Sequence, residues 1–231
     1  MKRSEINEIM RRSDDFIRSF GFRLPPFAYW TADDYRRHGA AAGGIRSARL
    51  GWDITDYGLG DYDKTGLFLF TTRNGRLADL ARGRGMLYAE KIMIVRDRQY
   101  CPMHRHNLKA EDIINRGGGT LALELYMSDA DGRIDQRAGV EVPTDGLVRT
   151  LPAGGVLKLA PGESVTLLPG VWHAFWGEDK DVLVGEVSTV NDDLTDNIFA
   201  DPIGRFPEIE EDVDPWHFLV GDYDKFLGTA A

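Results

Sequence analysis

From Leu67 to Val187 the chain breaks into short runs rich in branched and aromatic residues, with turn-forming dipeptides between them. The runs are Leu67 to Thr72, Leu87 to Val95, Leu121 to Met127, Val156 to Leu159, Ser164 to Leu168 and Val182 to Val187. The breaks fall at Asn74-Gly75, Asp131-Gly132, Asp145-Gly146 and Pro161-Gly162. Such dipeptides put glycine where a tight reversal needs it, so neighbouring runs can pair as antiparallel strands. A mainly β fold follows, an antiparallel barrel or sandwich. Periodicity alone does not separate a jelly roll from other all-β architectures.

The first part of the chain reads differently. Ile6, Ile9, Met10, Ile17 and Phe20 recur at helical spacing between a Ser4 cap and Gly21. Thr31-Ala-Asp-Asp34 resembles a capping box that opens a short second helix through Arg37. A length of 231 residues suits one domain with a sizeable core. The net charge of -9, with Lys and Arg spread along the chain, excludes a nucleic-acid partner that needs a basic patch. A membrane surface is disfavoured on the same ground. No apolar run approaches a bilayer span and no secretory signal is seen, so a cytoplasmic location is expected. The single cysteine, Cys101, agrees with a reducing compartment. Its odd spacing from His104 places it on the opposite strand face, in a structural role.

Three of the five histidines fall in two short motifs. His104 and His106 stand one residue apart in Met103-His104-Arg105-His106, and His173 follows a Pro169-Gly170 turn. In a strand, residues i and i+2 share a face roughly 7 Å apart, so two such imidazoles can reach one ion. Glu111 can add a carboxylate oxygen. The alternative is an exposed His-x-His pair with no ion, which becomes less economical with each further member of the set. Three imidazoles and one carboxylate suit Mn, Fe, Co, Ni or Zn, and the ligand types do not choose among them; manganese is the working expectation. Four protein ligands on an octahedral ion leave two positions open, whereas a structural zinc site would be closed.

The run His104-x-His106-x4-Glu111-x5-Gly117, followed by Pro169-Gly170-x2-His173, resembles the two signature motifs of the cupin superfamily. Where that pattern carries a glycine upstream of His104, this chain has Arg98. A closer resemblance is to the D-lyxose isomerase family. It is carried by Tyr88-Ala-Glu-Lys91, Pro102-Met-His-Arg-His106, Lys109-Ala-Glu-Asp-Ile-Ile-Asn-Arg-Gly-Gly-Gly119, Pro169-Gly-Val-Trp-His173 and Gly185-Glu-Val-Ser-Thr-Val-Asn-Asp-Asp193. The resemblance implies a cupin-type jelly-roll barrel over about residues 65–190, behind a helical extension over 1–45. A C-terminal segment, 191–231, would pack on the barrel. It also implies metal-dependent isomerisation of D-lyxose to D-xylulose, and of D-mannose to D-fructose, through a cis-enediol.

Such a reaction needs proton carriers. Glu186, one strand after His173, is the expected base. Lys109, two residues from Glu111, can polarise the substrate or donate a proton. Both have an ordinary alternative, a buried carboxylate paired with a lysine for structure. Lys91 belongs to the same resemblance and is expected to bind a sugar hydroxyl, its alternative being a solvated strand charge. The acidic tail, Glu208 to Asp214, reads first as a solvated face. If it folds over the barrel mouth, Asp193 binds substrate and Glu211 serves as a second acid or base. Trp172, Phe175 and Trp176 bracket His173, and Trp176 is expected to face a sugar ring. Gly117, Gly118 and Gly119 read as a tight turn between strands. Two other functions fit the ligand set, a cupin dioxygenase and a non-catalytic sugar-binding cupin. A homodimer is expected, because helices and sheet faces would otherwise expose apolar surface.

Overall fold

The computed structural model describes residues 1–228; the last three residues of the expected C-terminal segment lie outside it. Strands are β1 (Gly51–Thr55), β2 (Leu67–Asn74), β3 (Tyr88–Val95), β4 (Cys101–Arg105), β5 (Glu111–Ser128), β6 (Ile134–Asp135), β7 (Val140–Thr144), β8 (Leu147–Leu151), β9 (Gly155–Leu159), β10 (Ser164–Leu167), β11 (Trp172–Thr189) and β12 (Ile198–Phe199). Helices are α1 (Arg3–Ser19), α2 (Ala32–His38), α3 (Gly43–Ser47), α4 (Leu77–Arg82) and α5 (Tyr223–Leu227). No helix among the described residues is long and apolar enough to cross a membrane. The fold is mainly β, a curled antiparallel sheet, as the turn pattern predicts. It starts earlier than expected: β1 pairs with β2 from Gly51 onward. That short strand carries no turn dipeptide of its own.

Two long strands organise the sheet. β5 and β11 pair along their length, and β11 also takes β4 against its first half and β3 against its second. β1 and β2 extend the β3 side, while β9 and β10 add to β5. The β5–β11 ladder bends where the register shifts between Glu178 and Val182, with Asp179 at φ 73°. The glycine triplet lies at this bend inside β5, not at a turn between strands. A Cβ at Gly118 would sit 2.1 Å from the Asp181 carbonyl oxygen, and one at Gly119 2.3 Å from that of Glu178. Backbone approach that close needs residues without side chains.

Strand alternation divides the apolar residues into an interior and an outer layer. Leu67, Leu69, Met93, Val95, Ile113, Leu121, Leu123 and Val184 face the barrel interior. Phe68, Phe70, Ile92, Ile94 and Leu183 face outward and are covered by Ile6, Ile9, Met10 and Ile17 of α1. Each α1 anchor contributes roughly 1.5–3 kcal/mol relative to exposure. Lys91 shares parity with Met93, and Glu186 with Val184, so both charges point inward.

Thr31 caps α2, and Asp34 returns the bond to the Thr31 backbone. Ser4 does not cap α1, which begins at Arg3. Asp212 caps it instead, accepting the Ser4 N–H at 2.9 Å and the Ser4 hydroxyl at 2.6 Å. Gly21, at φ 76°, ends the helix as expected.

Candidate metal centre

His104 and His173 are cross-strand partners on β4 and β11, and His106 lies two residues on, just past the end of β4. Gly170, at φ 87°, turns the chain into β11 and donates its N–H to the His106 carbonyl at 2.8 Å. One nitrogen of each imidazole can be chosen so that all three lie within 4.8 Å of one another. Glu111, opening β5, brings Oε1 to 3.2 Å from His173 Nε2 and 3.4 Å from His106 Nε2.

The outer nitrogens fix how these rings present themselves. Nδ1 of His104 is 2.8 Å from the Pro102 carbonyl, Nδ1 of His173 is 3.1 Å from that of Val171, and Nδ1 of His106 is 2.5 Å from that of Asp196. A carbonyl only accepts, so each Nδ1 carries the proton and each Nε2 turns a lone pair inward. Burial, then His173 and His106, hold His104 well below the ordinary imidazole value, which keeps it neutral. Three inward atoms, His106 Nε2, His173 Nε2 and Glu111 Oε1, are buried with no hydrogen-bond partner. Acceptors facing acceptors cannot satisfy one another, whereas a cation among them satisfies all three. The donor set fits a divalent transition ion.

Beside this cluster runs a buried line of alternating charge. Lys109 Nζ lies 2.6 Å from Glu111 Oε2 and 3.1 Å from Glu186 Oε1. Lys91 Nζ lies 3.3 Å from Glu186 Oε1 and 3.6 Å from Asp193, and donates to Asn191 Oδ1 at 2.7 Å. Arg205 continues the line, 3.7 Å from Asp193 and 2.7 Å from Asp53. Burial alone would raise the Glu111 carboxyl, but the Lys109 ammonium holds it well below the usual carboxylate range. Asp193 is lowered likewise, with Lys91 and Arg205 overcoming burial. Burial would lower Lys109, yet Glu111 and Glu186 raise it, so it stays an ammonium.

One cavity thus collects His104, His106, Glu111, His173, Lys109, Glu186, Lys91 and Asp193. Trp176 and Glu211 lie elsewhere. Trp176 follows His173 by three positions, so the strand turns it to the other face, where it meets Tyr100 and donates to Glu178 at 3.3 Å. Of the three aromatics around His173, Phe175 lines the cavity. Glu211 grips Arg3 at 2.7 and 2.8 Å and Lys225 at 2.6 Å, tying the tail to the start of α1. Cys101 lines the same cavity as His104, against the parity argument, because the β4–β11 register shifts between them. Its thiol contacts Tyr57 Oη at 3.0 Å, and burial pushes it up to about 12, so it is an inert wall. Arg98, at the cupin glycine position, itself adopts φ 59°.

Sequence reasoning gave no role to Asp53, Asn191 or Arg205, and counted Asp196 only among the acidic residues that could fold over the barrel mouth. Asp196 accepts the backbone N–H groups of Asn107, Leu108 and Lys109 on its carboxylate, while its carbonyl faces His106 Nδ1. Asp53 was findable: a charge between Trp52 and Ile54 in a strand buried on both faces must point at something polar.

Fold and site together define a cupin-like barrel enzyme with a histidine-rich centre inside the barrel. A D-lyxose/D-mannose isomerase of Serratia proteamaculans is 45% identical over 230 residues, covering 98% of this chain and all of its own. One of Escherichia coli O157:H7 is 43% identical over 231 residues with the same coverage. Among solved structures, the L-ribose isomerase of Acinetobacter sp. DL28 in complex with L-ribose superposes with a TM-score of 0.61 at 17% identity, over 91% of this chain and 98% of that one. That likeness speaks for the barrel. The chain belongs to the D-lyxose isomerase family, whose family model matches residues 1–223, and it is an aldose-ketose isomerase.

Proposed function

We propose that the chain interconverts D-lyxose and D-xylulose, and D-mannose and D-fructose, at a divalent ion held by His104, His106, His173 and Glu111, with manganese the ion used. Its nearly full-length relatives are named for D-lyxose and D-mannose. The observation that carries the reading is the convergence of three buried, unpartnered acceptors beside an ion-paired carboxylate in one cavity. When bound there, the ion supplies Lewis acidity that stabilises negative charge on adjacent carbonyl and hydroxyl oxygens of the sugar.

The remaining chemistry belongs to side chains. Glu186 takes the proton from C2 of the aldose, and the electron pair left behind forms the C1–C2 double bond as O1 gains a proton. The enediol collapses in the other direction when O2 loses its proton and Glu186 returns its own to C1. Lys109, between Glu111 and Glu186, holds both carboxylates in place, and its N–H groups serve the oxygen-to-oxygen transfer. Lys91 and Asp193 position the substrate hydroxyls beside Glu186. The closed wall of Tyr57, Leu69, Met93 and Phe175 keeps bulk water from the enediol.

The test strips the protein with chelator, restores single divalent ions and follows exchange of the C2 proton of D-lyxose. Exchange should vanish on stripping, return best with manganese, and be lost in His106→Ala while the circular dichroism spectrum is kept. Full exchange in the stripped protein would overturn the reading.

A further inference from the structure

The centre is shut away from solvent. His106, Glu111, His173, Lys91, Lys109 and Glu186 are each at most 5% exposed, so a rigid barrel of this shape admits no sugar. Most of the cavity wall is strand held by neighbours on both sides, β3 between β2 and β11, and β5 between β11 and the pair β9 and β10. Residues 191–205 are different. They contribute Asp193, Asn197, Phe199 and Arg205 to the wall, yet their strand pairing is limited to the two residues of β12, where Ile198 and Phe199 face Arg105 and His104. The Ala200 N–H adds a bond to the Met103 carbonyl at 2.9 Å. Both ends are tied down: the Asn191 N–H donates to Asn74 Oδ1 at 3.0 Å, and Arg205 holds Asp53 at 2.7 Å. Between them Asp192 bonds its own turn, accepting the Leu194 N–H at 3.0 Å and the Thr195 hydroxyl at 2.6 Å, and Asp193 makes a looser contact with Lys91 at 3.6 Å. One residue fastens the middle. The Asp196 carboxylate accepts the N–H groups of Asn107 at 2.8 Å, Leu108 at 3.1 Å and Lys109 at 2.9 Å, and its backbone carbonyl accepts from His106 Nδ1 at 2.5 Å.

We propose that residues 192–200 form a door through which substrate enters the barrel, and that Asp196 is its latch. Opening breaks the bonds of the Asp196 carboxylate and lifts Phe199 from the cavity. Water takes over the freed N–H groups, so the opening is local and leaves the β5–β11 ladder intact. Because the Asp196 carbonyl fixes Nδ1 of His106, an open door also frees that ring, and closure behind the substrate turns its Nε2 back towards the other imidazoles. Asp196 lies outside the cavity wall and is therefore a positioning residue, acting through His106 and the backbone of Lys109. That the visitor is a sugar rests on the proposed function; the motion itself is read on the ion.

Phe199 and His104 line the cavity, so their neighbours Ile198 and Arg105, cross-strand partners themselves, alternate to the other face and are close enough for a disulfide between door and barrel. In the manganese-loaded protein carrying Ile198→Cys and Arg105→Cys, oxidation should lower kcat/KM for D-lyxose and slow the loss of manganese to excess chelator, each by at least about tenfold, and dithiothreitol should restore both. The parent, with Cys101 alone, is treated alike and should not respond. Rates unchanged by a bridge confirmed by mass overturn the proposal. If the parent isomerises no pentose, the proposed function falls, and the door is judged on manganese loss alone. A second variant covers failure of the bridge to form. In Asp196→Ala, hydrogen exchange at residues 198–200 and manganese loss should both quicken by at least about tenfold, while exchange in β5 and β11 stays that of the parent. Asp196→Asn, which keeps one side-chain acceptor, should lie between. An Asp196→Ala protein whose door exchanges at the parent's rate overturns the proposal.

Discussion

The molecule holds two buried clusters of cations and carboxylates, and they differ in whether their polar atoms are satisfied. At the tail, Arg3 is fully buried, and its guanidinium makes paired bonds to Glu211 at 2.7 and 2.8 Å and to Asp222 at 2.8 Å twice. No nitrogen of Arg3 is left without a partner. Inside the barrel, Lys109, Lys91 and Arg205 are paired just as closely, but His106, His173, Glu111 and Arg205 each keep one atom unmatched. Burial and ion pairing are common to both clusters, so neither feature marks function. What separates them is closure: a structural cluster ends its own hydrogen-bonding account, while a site leaves acceptors and donors aimed at a visitor.

Substitutions sharpen that contrast. Glu186→Gln should lower isomerisation by about 100- to 10,000-fold, the usual range for a proton carrier, with an unchanged melting temperature to within a few degrees. Arg3→Met should do the reverse. Leaving Glu211 and Asp222 without their cation costs on the order of 3–5 kcal/mol of stability, while kcat per folded molecule stays that of the parent. Chemical denaturation and turnover, measured on both variants, would break the comparison if the effects fell together.

A smaller effect follows pH. The Arg3 bonds hold Glu211 down at about 2, against an ordinary 4.5. A lowered carboxyl stabilises the fold above its unfolded value, and that contribution is lost as pH falls from about 4.5 towards 2. Glu211→Gln should therefore melt below the parent at pH 7, with the gap narrowing through that interval. A gap independent of pH would mean that the tail clasp is not electrostatic. The smallest change is expected for Trp176→Ala, which lies on the outer face: kcat and KM for D-lyxose should stay within about twofold of the parent, or ~0.4 kcal/mol. A KM rise well beyond that would return Trp176 to the substrate.

Much of the site was legible because strand alternation is a local rule. His104 and His106 share a face by spacing alone, and Glu186 and Lys91 take their inward direction from Val184 and Met93. The same rule places Trp176 outward, three positions from His173, so the expectation of a sugar contact there set residue type above parity. Cys101 went the other way, since a register shift between two strands is invisible in one of them. Asp53 and Arg205 are 152 residues apart and meet only because β1 and the tail both return to the barrel. No local pattern carries that meeting. Glu211 was misplaced because an acidic run shows its charge and not its partner, which here is the buried first turn of α1.

Asp196 holds two parts of the centre with one residue, its carbonyl on the His106 ring and its carboxylate on the backbone that carries Lys109. A ligand and a proton-handling amine thus hang from the same peg. Any change that retunes how tightly the ring is gripped will also retune where the amine sits, so in directed evolution the two traits should move as a linked pair and resist separate optimisation.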